Sequence, residues 1–298
     1  MNALHATGPL LHRHFISTSR GLVHCQEAGS GDKVIVLVTI TSFGNTIVNE
    51  VLEDLASRGY RAMALDLMGY GNSDRRTCQW KIEDFADNIA EALSVLEVTP
   101  TVLSCGHFSS WIGIELAGRP GGNKMRLVLD GTPMTTPESR EMFKTNACKS
   151  PRAWNAQGTQ TGEYWKTAWH IISTLNPGLS LETSPSPLVR EAYLAVLGTL
   201  SFEPGTAYAA AEFQLDAKLA LVHSQTVAMC SDHDWNLPHF PNLLDGLANA
   251  EVETLRWSGV HPLHDLQDRS RTGAYADVLD RLARDGVQPT VGQTATTE

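Results

Sequence analysis

Apolar runs of strand length alternate with segments of helical periodicity along most of this chain. The first run, 34–39, is rich in β-branched residues, and 48–58 follows it with apolar side chains at helical spacing. Further strand-like runs occupy 61–65, 101–104, 127–129 and 226–230. Because alternating strands and helices form a parallel sheet covered on both faces, we predict an α/β fold with a mostly parallel central sheet flanked by helices.

The segment 104–111 joins a predicted strand directly to a predicted helix. A strand that turns sharply into a helix needs small residues two positions before and two positions after the tip of the turn. Cys105 and Ser109 stand at those positions around His107. We therefore expect His107 to project over the carboxyl ends of the strands, where open α/β sheets bind ligands.

This turn, together with three other landmarks, resembles the α/β-hydrolase superfamily. A glycine-rich loop at 66–73, an acidic loop at 231–234 and a histidine-bearing loop at 259–262 occur in the order that this superfamily uses. The resemblance covers about residues 20–283. It implies the α/β-hydrolase fold, with Asp234 at the position of the triad acid and His261 at the position of the triad histidine.

One long segment interrupts the alternation of strands and helices. Residues 133–220 read as helical and aromatic, with several prolines, which is typical of an inserted helical cap. The core is then predicted to comprise 1–132 and 221–286. The polar, threonine-rich segment 287–298 is predicted to be a disordered tail.

The tip of the turn departs from the superfamily, because His107 stands where a serine nucleophile is usual. Loss of that serine removes the usual acyl-enzyme route. Thr39 and Ile40 replace the His-Gly pair that usually leads into the first oxyanion donor. Backbone N–H groups do not depend on side-chain identity, so those of Thr41 and Phe108 are the predicted oxyanion donors.

His261 is the predicted general base, oriented by an aspartate. Asp234 is the first choice for this acid, and Asp130, which ends the strand 127–129, is the alternative. Histidine carries protons near neutral pH, so His107 is interpreted as a second proton carrier or a substrate hydrogen-bond donor. A nucleophilic role, or an imidazole that only fills a decayed turn, stays open for His107.

The predicted substrate is small, carbonyl-bearing and partly aromatic. Candidate substrate-binding residues are Ser42, Trp111, Trp154 and Trp235. Packing is the alternative role for the tryptophans, since aromatic side chains dominate protein cores. Ser109, Ser110 and Cys105 are weaker candidates for a substitute nucleophile, because the first and last should point into the sheet.

No metal and no cofactor is predicted. The group 232–234, His261 and His264 has metal-ligand chemistry, but the spacing matches no recognised motif. The segment 69–71 lacks the third glycine of a dinucleotide-binding fingerprint. The expected partner is therefore a small-molecule substrate alone.

The segment 149–159, Trp111 and Asp130 are similar to cofactor-free ring-cleaving dioxygenases of the same superfamily. In that group a His/Asp pair deprotonates a hydroxy-oxo-quinoline, whose anion then reacts with oxygen. Such chemistry needs no serine nucleophile, although that group keeps a serine at the turn where this chain has His107. The resemblance implies a cofactor-free dioxygenase as an alternative function.

Charge and cysteine content limit the partners and the compartment. The net charge is -10 without a basic run, which disfavours nucleic acid and anionic membranes. Five dispersed cysteines, with no leader-like or membrane-length apolar segment, favour the cytoplasm. The sequence leaves a homo-oligomer open.

Three classes of function fit the sequence. The first is an enzyme whose His–Asp base cleaves or rearranges its substrate, including a hydrolase that acts through activated water. The second is a cofactor-free dioxygenase or a lyase. The third is a catalytically inactive binding protein.

Overall fold

The computed structural model describes residues 10–38, 43–75, 80–147, 155–180, 182, 187–200 and 205–288. In these residues eight strands form one sheet in the order β1-β2-β4-β3-β5-β6-β7-β8. The strands are β1 His12–Thr18, β2 Gly21–Ala28, β3 Val34–Val38, β4 Arg61–Leu65, β5 Val102–Gly106, β6 Arg126–Asp130, β7 Thr226–Ser231 and β8 Val252–Trp257. β2 is antiparallel to both β1 and β4, and the other pairs are parallel. The predicted, mostly parallel sheet is thus confirmed.

Ten α-helices accompany the sheet within the described residues. They are α1 Asn49–Ser57, α2 Ile82–Val95, α3 Phe108–Ala117, α4 Pro137–Ala147, α5 Thr159–Leu175, α6 Pro187–Leu200, α7 Gly205–Glu212, α8 Leu215–Leu219, α9 Phe240–Gly246 and α10 Thr272–Asp285. None of these helices is long and apolar enough to cross a membrane.

The central strands are buried on both faces, as their continuous apolar runs predict. Every residue of β3 is buried, and so is every residue of β7. One apolar core packs α2, α3 and α8 against one face of the sheet. A second core packs α1 and α10 against the other face. The sheet is therefore a covered, rigid platform for the loops at its carboxyl edge.

The helix that follows β4 has an acidic residue in its first turn. The helix α2 begins at Ile82, directly after Lys81. Asp84 is the third helical residue, and its carboxylate accepts the Lys81 backbone N–H at 2.9 Å. This is the reciprocal half of a capping box, which places an acidic side chain inside the first turn.

Among the described residues, five helices, α4 to α8, lie between β6 and β7, the interval in which the sequence predicts a cap. The helix α5 packs against α6, where Tyr193 donates a hydrogen bond to the Trp165 carbonyl at 2.7 Å. The helix α6 also packs on a short 3-10 helix, Gly44–Val48, which lies just after β3. The exact limits of the cap and core stay predictions.

The first two residues of the predicted tail are packed against the core. The sequence places the start of a disordered tail at Val287, but this side chain is buried. Gln288 donates its backbone N–H to Glu253 Oε2 at 2.8 Å. Apolar contact and this hydrogen bond hold both residues against the core. The rest of the predicted tail, 289–298, lies outside the described residues.

Candidate active site

His107 occupies the tip of a sharp turn between β5 and α3. Its backbone has φ 51° and ψ −123°, a combination that non-glycine residues seldom adopt. Two hydrogen bonds hold the turn: the His107 N–H donates to the Asp130 carbonyl at 2.7 Å, and the Ser110 N–H donates to the His107 carbonyl at 2.9 Å. Such strain costs about 1–3 kcal/mol and is concentrated at functional sites.

The small residues predicted around this tip make the turn sterically feasible. Cys105 and Ser109 are both fully buried. A Cβ added to Gly113 on α3 would lie 2.8 Å from Cys105 Sγ, so the helix approaches the strand as closely as glycine allows. The predicted strand-to-helix turn with His107 at its tip is confirmed.

Asp234 is the partner of His107. The Nε2 atom of His107 lies 3.1 Å from Asp234 Oδ2, and both side chains are almost fully buried. The ring N–H is not well aligned with the oxygen, so the contact is a close charge pair rather than a well-formed hydrogen bond. Catalytic hydrogen bonds are often misaligned before substrate binds and tighten afterwards.

The charges around His107 favour its protonated form. Burial by itself would lower the pKa of His107, but Asp234 and, more weakly, Asp130 outweigh it and raise the pKa above the ordinary 6.5. Burial would likewise raise the pKa of Asp234, yet the neighbouring His107 and the Asn236 N–H lower it. The pair can therefore hold a proton on the imidazole and a negative charge on the carboxylate.

His261 pairs with Asp130, not with Asp234. Its Nε2 atom lies 2.9 Å from Asp130 Oδ2, again without good N–H alignment. Its Nδ1 atom accepts the backbone N–H of Leu263 at 3.1 Å. This bond requires an unprotonated Nδ1, so the proton of a neutral His261 lies on Nε2, toward Asp130.

These two pairs correct the preferred assignment of the acid. The sequence favoured Asp234 as the partner of His261, but the structure gives each histidine its own carboxylate. His107, at the tip of the turn, contacts Asp234. Asp130, the alternative acid, ends β6 and contacts His261.

His264, which the sequence indicated only as a candidate metal ligand, is a third imidazole in the cluster. A turn in which the His264 N–H donates to the His261 carbonyl at 3.0 Å brings the two rings together. Their centroids are 4.4 Å apart, and the rings of His264 and His107 are 5.4 Å apart. Burial, then the charges of His261 and His107, hold the pKa of His264 well below 6.5, so it is neutral at neutral pH.

Gly131 and Asn236 support the His107–Asp234 pair, a role that the sequence did not predict for either residue. Gly131 has φ +58°, and a Cβ there would overlap Asp234 Oδ2 and lie 2.9 Å from His107 Nε2. Asn236 donates its backbone N–H to Asp234 Oδ1 and its side-chain amide to the Gly131 carbonyl, both at 2.8 Å. A glycine directly after the acid that ends β6, and an asparagine two residues after Asp234, are the signals that could have identified them.

Asp66, in the glycine-rich loop, anchors the chain just after β3. Its buried carboxylate accepts the backbone N–H groups of Asn45 at 2.9 Å and Asn72 at 3.0 Å. The same carboxylate lies 2.8 Å from His24 Nδ1. A Cβ at Gly71, where φ is +52°, would overlap this carboxylate. The loop therefore fixes the backbone that leads out of the predicted oxyanion segment.

Three of the predicted ligand-contacting residues are described, and they differ in their surroundings. Phe108 is the first residue of α3, and the first N–H groups of a helix lack partners within it, which suits an oxyanion donor. Trp235 is 46% exposed, and its ring centroid lies 5.3 Å from that of His107. Trp111 is buried in the core, where its indole N–H donates to the Pro133 carbonyl at 2.7 Å. Thr41, Ser42 and Trp154 lie outside the described residues.

The weaker nucleophile candidates are enclosed. Ser110 is fully buried and donates its hydroxyl to the Cys105 carbonyl at 3.0 Å. Burial raises the pKa of the Cys105 thiol, which keeps it protonated and unreactive. Within the described chain, the metal-ligand-like group that converges on one point is His14, Cys25 and Glu27 on β1 and β2, not the histidine cluster.

Comparisons with known proteins agree on the fold. The chain is similar to an esterase from Exiguobacterium antarcticum, with 17% identity, a TM-score of 0.71, and coverage of 92% of this chain and 100% of the esterase. It is also similar to a hydrolase from Pseudomonas aeruginosa, with 19% identity, a TM-score of 0.69, and coverage of 94% and 99%. An enol-lactonase from Burkholderia xenovorans gives 16% identity, a TM-score of 0.69, and coverage of 91% and 100%. No protein-family model and no curated protein sequence matches the chain.

Proposed function

We propose that this chain, which has the α/β-hydrolase fold, is an enzyme that cleaves a small carbonyl-bearing substrate with a His–Asp base instead of a serine nucleophile. The observation that carries the proposal is His107 itself. It holds the strained tip of the turn and contacts Asp234 at 3.1 Å. A decayed turn would not need to keep the strained backbone, the paired acid and a second His–Asp pair beside it.

The general base is assigned to His107 and no longer to His261. In the described arrangement His261 Nδ1 accepts the Leu263 N–H, and His261 Nε2 lies 2.9 Å from Asp130 Oδ2. His107 directs only Nε2 to its carboxylate, so Nδ1 is the ring nitrogen turned away from Asp234. The His261–Asp130 pair then contributes the negative charge of Asp130 near His107.

Hydrolysis is the reaction that this base performs most directly. Neutral His107 takes a proton from a water molecule while the water oxygen bonds to the substrate carbonyl carbon. The resulting imidazolium is stabilised by Asp234 and returns the proton to the leaving oxygen as its bond to the carbonyl carbon breaks. The two proton transfers balance, and no acyl-enzyme forms.

In this reaction the substrate carbonyl oxygen becomes negatively charged, and in our proposal it lies at the start of α3. The Phe108 N–H points from the positive end of a ten-residue helix, which favours an anion. The N–H of Thr41 is the predicted second donor. Once His107 has taken the proton from water, its imidazolium, which the charges of Asp234 and Asp130 stabilise, also favours the anionic intermediate.

An ester or lactone with an aromatic part is the substrate class to test first. Trp235 places a half-exposed indole beside His107, which suits an aromatic group. Two of the similar proteins are named as an esterase and an enol-lactonase. Both activities act on a carboxylic ester bond, which a base-activated water can cleave.

The test compares His107→Gln with the native protein on a panel of aryl esters and aromatic lactones. Loss of a general base lowers kcat by about 10²–10⁴-fold, and we expect a loss in this range. His223→Gln is the control, since His223 is exposed on a loop away from the cluster. Native activity should also resist phenylmethylsulfonyl fluoride, and the acid product should carry one oxygen from labelled water.

Full activity in His107→Gln, or inactivation by the sulfonyl fluoride, would overturn the proposal. An oxygen electrode in the same reactions covers the dioxygenase alternative. Substrate loss with oxygen uptake, instead of label from water, would replace hydrolysis by oxygenation while leaving the His–Asp base in place.

A further inference from the structure

A small internal cavity lies between the ends of β3, β5 and β6 and the loop that carries His264. Asp130, His264, Tyr275 and Ser104 supply its polar walls, and apolar side chains complete it. Its volume is ≈ 10 Å³. A cavity of that size has room for about one water molecule.

Two buried polar atoms on the walls of this cavity have no hydrogen-bond partner within the described part of the chain. They are Asp130 Oδ1 and His264 Nδ1. Both residues are almost fully buried, with 2% and 3% of their surfaces exposed. Because buried polar groups in folded proteins are nearly always bonded to protein or to ordered water, these two atoms point to a bound water.

The other polar groups of the cavity can complete the coordination of a water. Tyr275 and Ser104 share a hydrogen bond of 2.8 Å between their hydroxyl oxygens. This hydrogen bond occupies a lone pair on only one of the two oxygens, so the pair keeps acceptor capacity. A buried water needs two to four polar partners, and the cavity offers that number.

We propose that this cavity binds one water molecule, which donates a hydrogen bond to Asp130 Oδ1 and accepts one from the Nδ1–H of His264. A carboxylate only accepts hydrogen bonds, so the water must turn a hydrogen toward Asp130. Its second hydrogen is directed to the hydroxyl pair. A lone pair of the water then faces His264, which fixes the imidazole proton on Nδ1.

Through this water His264 becomes a positioning residue for the His261–Asp130 pair. Asp130 then has one oxygen on the water and the other 2.9 Å from His261 Nε2. The carboxylate cannot rotate without breaking one of these contacts. The positioning role rests on the proposed function, whereas the water site and the tautomer do not.

The site is tested first on the native protein. A high-resolution crystal structure should show one ordered water between Asp130 and His264. Nitrogen-15 NMR of histidine-labelled protein should show His264 as a neutral imidazole protonated on Nδ1. A dry cavity, or His264 protonated on Nε2, would overturn the proposal, and neither measurement depends on a variant that folds or on activity.

A matched pair of variants tests the positioning role. In His264→Asn the amide reaches the place of Nδ1, whereas in His264→Gln it reaches the place of Nε2. We expect the water to stay in the first variant and to leave in the second. Because each variant lacks the His264 imidazole, the signal that disappears from its NMR spectrum is assigned to His264.

The kinetic readout separates positioning from a general structural role. In metal sites the loss of an outer-shell contact typically lowers activity about 10–100-fold, and we expect His264→Gln to lower kcat by a similar factor with KM unchanged. His264→Asn should stay within about threefold of the native kcat on the same ground. Equal losses in both variants would overturn the positioning role. If the native protein turns over no ester or lactone, the proposed function fails. The crystal structure and the NMR tautomer of His264 still test the water site in that case.

Discussion

His107 shows how one residue changes the chemistry of a turn that keeps its shape. A serine at this tip needs a separate histidine to take its proton, whereas an imidazole is itself the proton acceptor. The ring is also larger than a hydroxymethyl group, so it reaches Asp234 and pairs with it directly. The acid therefore acts on the residue at the tip of the turn.

The first residue-scale prediction concerns pH. The base acts when His107 is neutral, so kcat/KM should rise with pH through a pKa above 6.5. Asp234→Asn removes the charge that stabilises the imidazolium, so this rise should move to lower pH while the plateau falls. A pH profile of kcat/KM measures both effects.

Asp232→Asn is the control for this pH shift. Asp232 is two residues from Asp234, but its carboxylate contacts Arg256 and the Gly259 N–H instead of the cluster. Its variant should leave the rise of kcat/KM in place. An equal shift in both variants would show that the surface charge of the loop, and not the His107–Asp234 pair, sets the profile.

The second residue-scale prediction concerns Gly131. Gly131→Ala should lower the free energy of unfolding by about 2–5 kcal/mol, because it combines a left-handed backbone with overlap in a packed site. Activity should fall as well, since Asp234 and His107 must move apart. Urea unfolding and ester hydrolysis measure the two effects.

Gly121→Ala isolates the backbone cost of such a change. Gly121 has φ +84°, but a Cβ there would meet nothing within 4 Å. We expect a loss of about 1–2 kcal/mol with activity retained. If both variants lose stability equally, the close approach of Gly131 to the His107–Asp234 pair does not contribute to the free energy of unfolding.

At the scale of elements, the helices between β6 and β7 are tied to the histidine loop. Asn176 follows α5 directly and is fully buried. Its side-chain oxygen accepts the backbone N–H of Leu266 at 2.8 Å, and its amide donates to the Ile172 carbonyl at 3.1 Å. One side chain thus joins the end of α5 to the loop that carries His261 and His264.

Asn176→Ala should loosen this junction. The Leu266 N–H would be left buried without a partner, which costs about 1–3 kcal/mol in the free energy of unfolding. Because the same loop carries two of the three imidazoles, kcat should fall while binding of substrate changes less. Chemical unfolding and steady-state kinetics measure these effects.

Asn249→Ala is the matched control for Asn176→Ala. Asn249 also donates its amide to a carbonyl, that of Ala220 at 2.7 Å, but at an exposed position. Its loss should cost at most about 0.5 kcal/mol. Native kcat in Asn176→Ala would show that the position of the histidine loop does not depend on α5.

For the whole molecule, the buried imidazoles link stability to pH. The pKa of His264 is lowered in the folded state, so the unfolded chain gains a proton near pH 6.5 that the folded chain does not. Its contribution to stability is thus lost as pH falls below 6.5. The pKa of His107 is raised, so its contribution is complete below 6.5 and is lost as pH rises through the folded value.

These opposite signs predict a stability maximum near pH 6.5 from the two groups together. His264→Asn should flatten the acid side of the curve, and His107→Gln should flatten the alkaline side. Urea unfolding at about pH 5, 6.5 and 8, chosen around the ordinary histidine pKa, measures this. The exposed His223→Gln variant should leave the curve unchanged, and a native curve without curvature in this range would contradict the prediction.

Local sequence patterns determined the sheet, the turn and the type of residue at its tip. Continuous apolar runs mark buried parallel strands, and small residues around His107 mark a sharp turn, because both depend on neighbours along the chain. The order of the landmark loops likewise placed His107, Asp130, Asp234 and His261 at one edge of the sheet. The sequence therefore predicted the fold and most members of the cluster.

Only the tertiary structure decided how those members pair. The partner of each histidine depends on distances between loops that are far apart in sequence, and on the volume of an imidazole at the turn. The choice between Asp130 and Asp234 is therefore invisible in local patterns. The roles of Gly131, Asn176 and His264 could not be predicted for the same reason, because each arises where separate elements meet. A buried contact between elements produces no periodic pattern in the sequence.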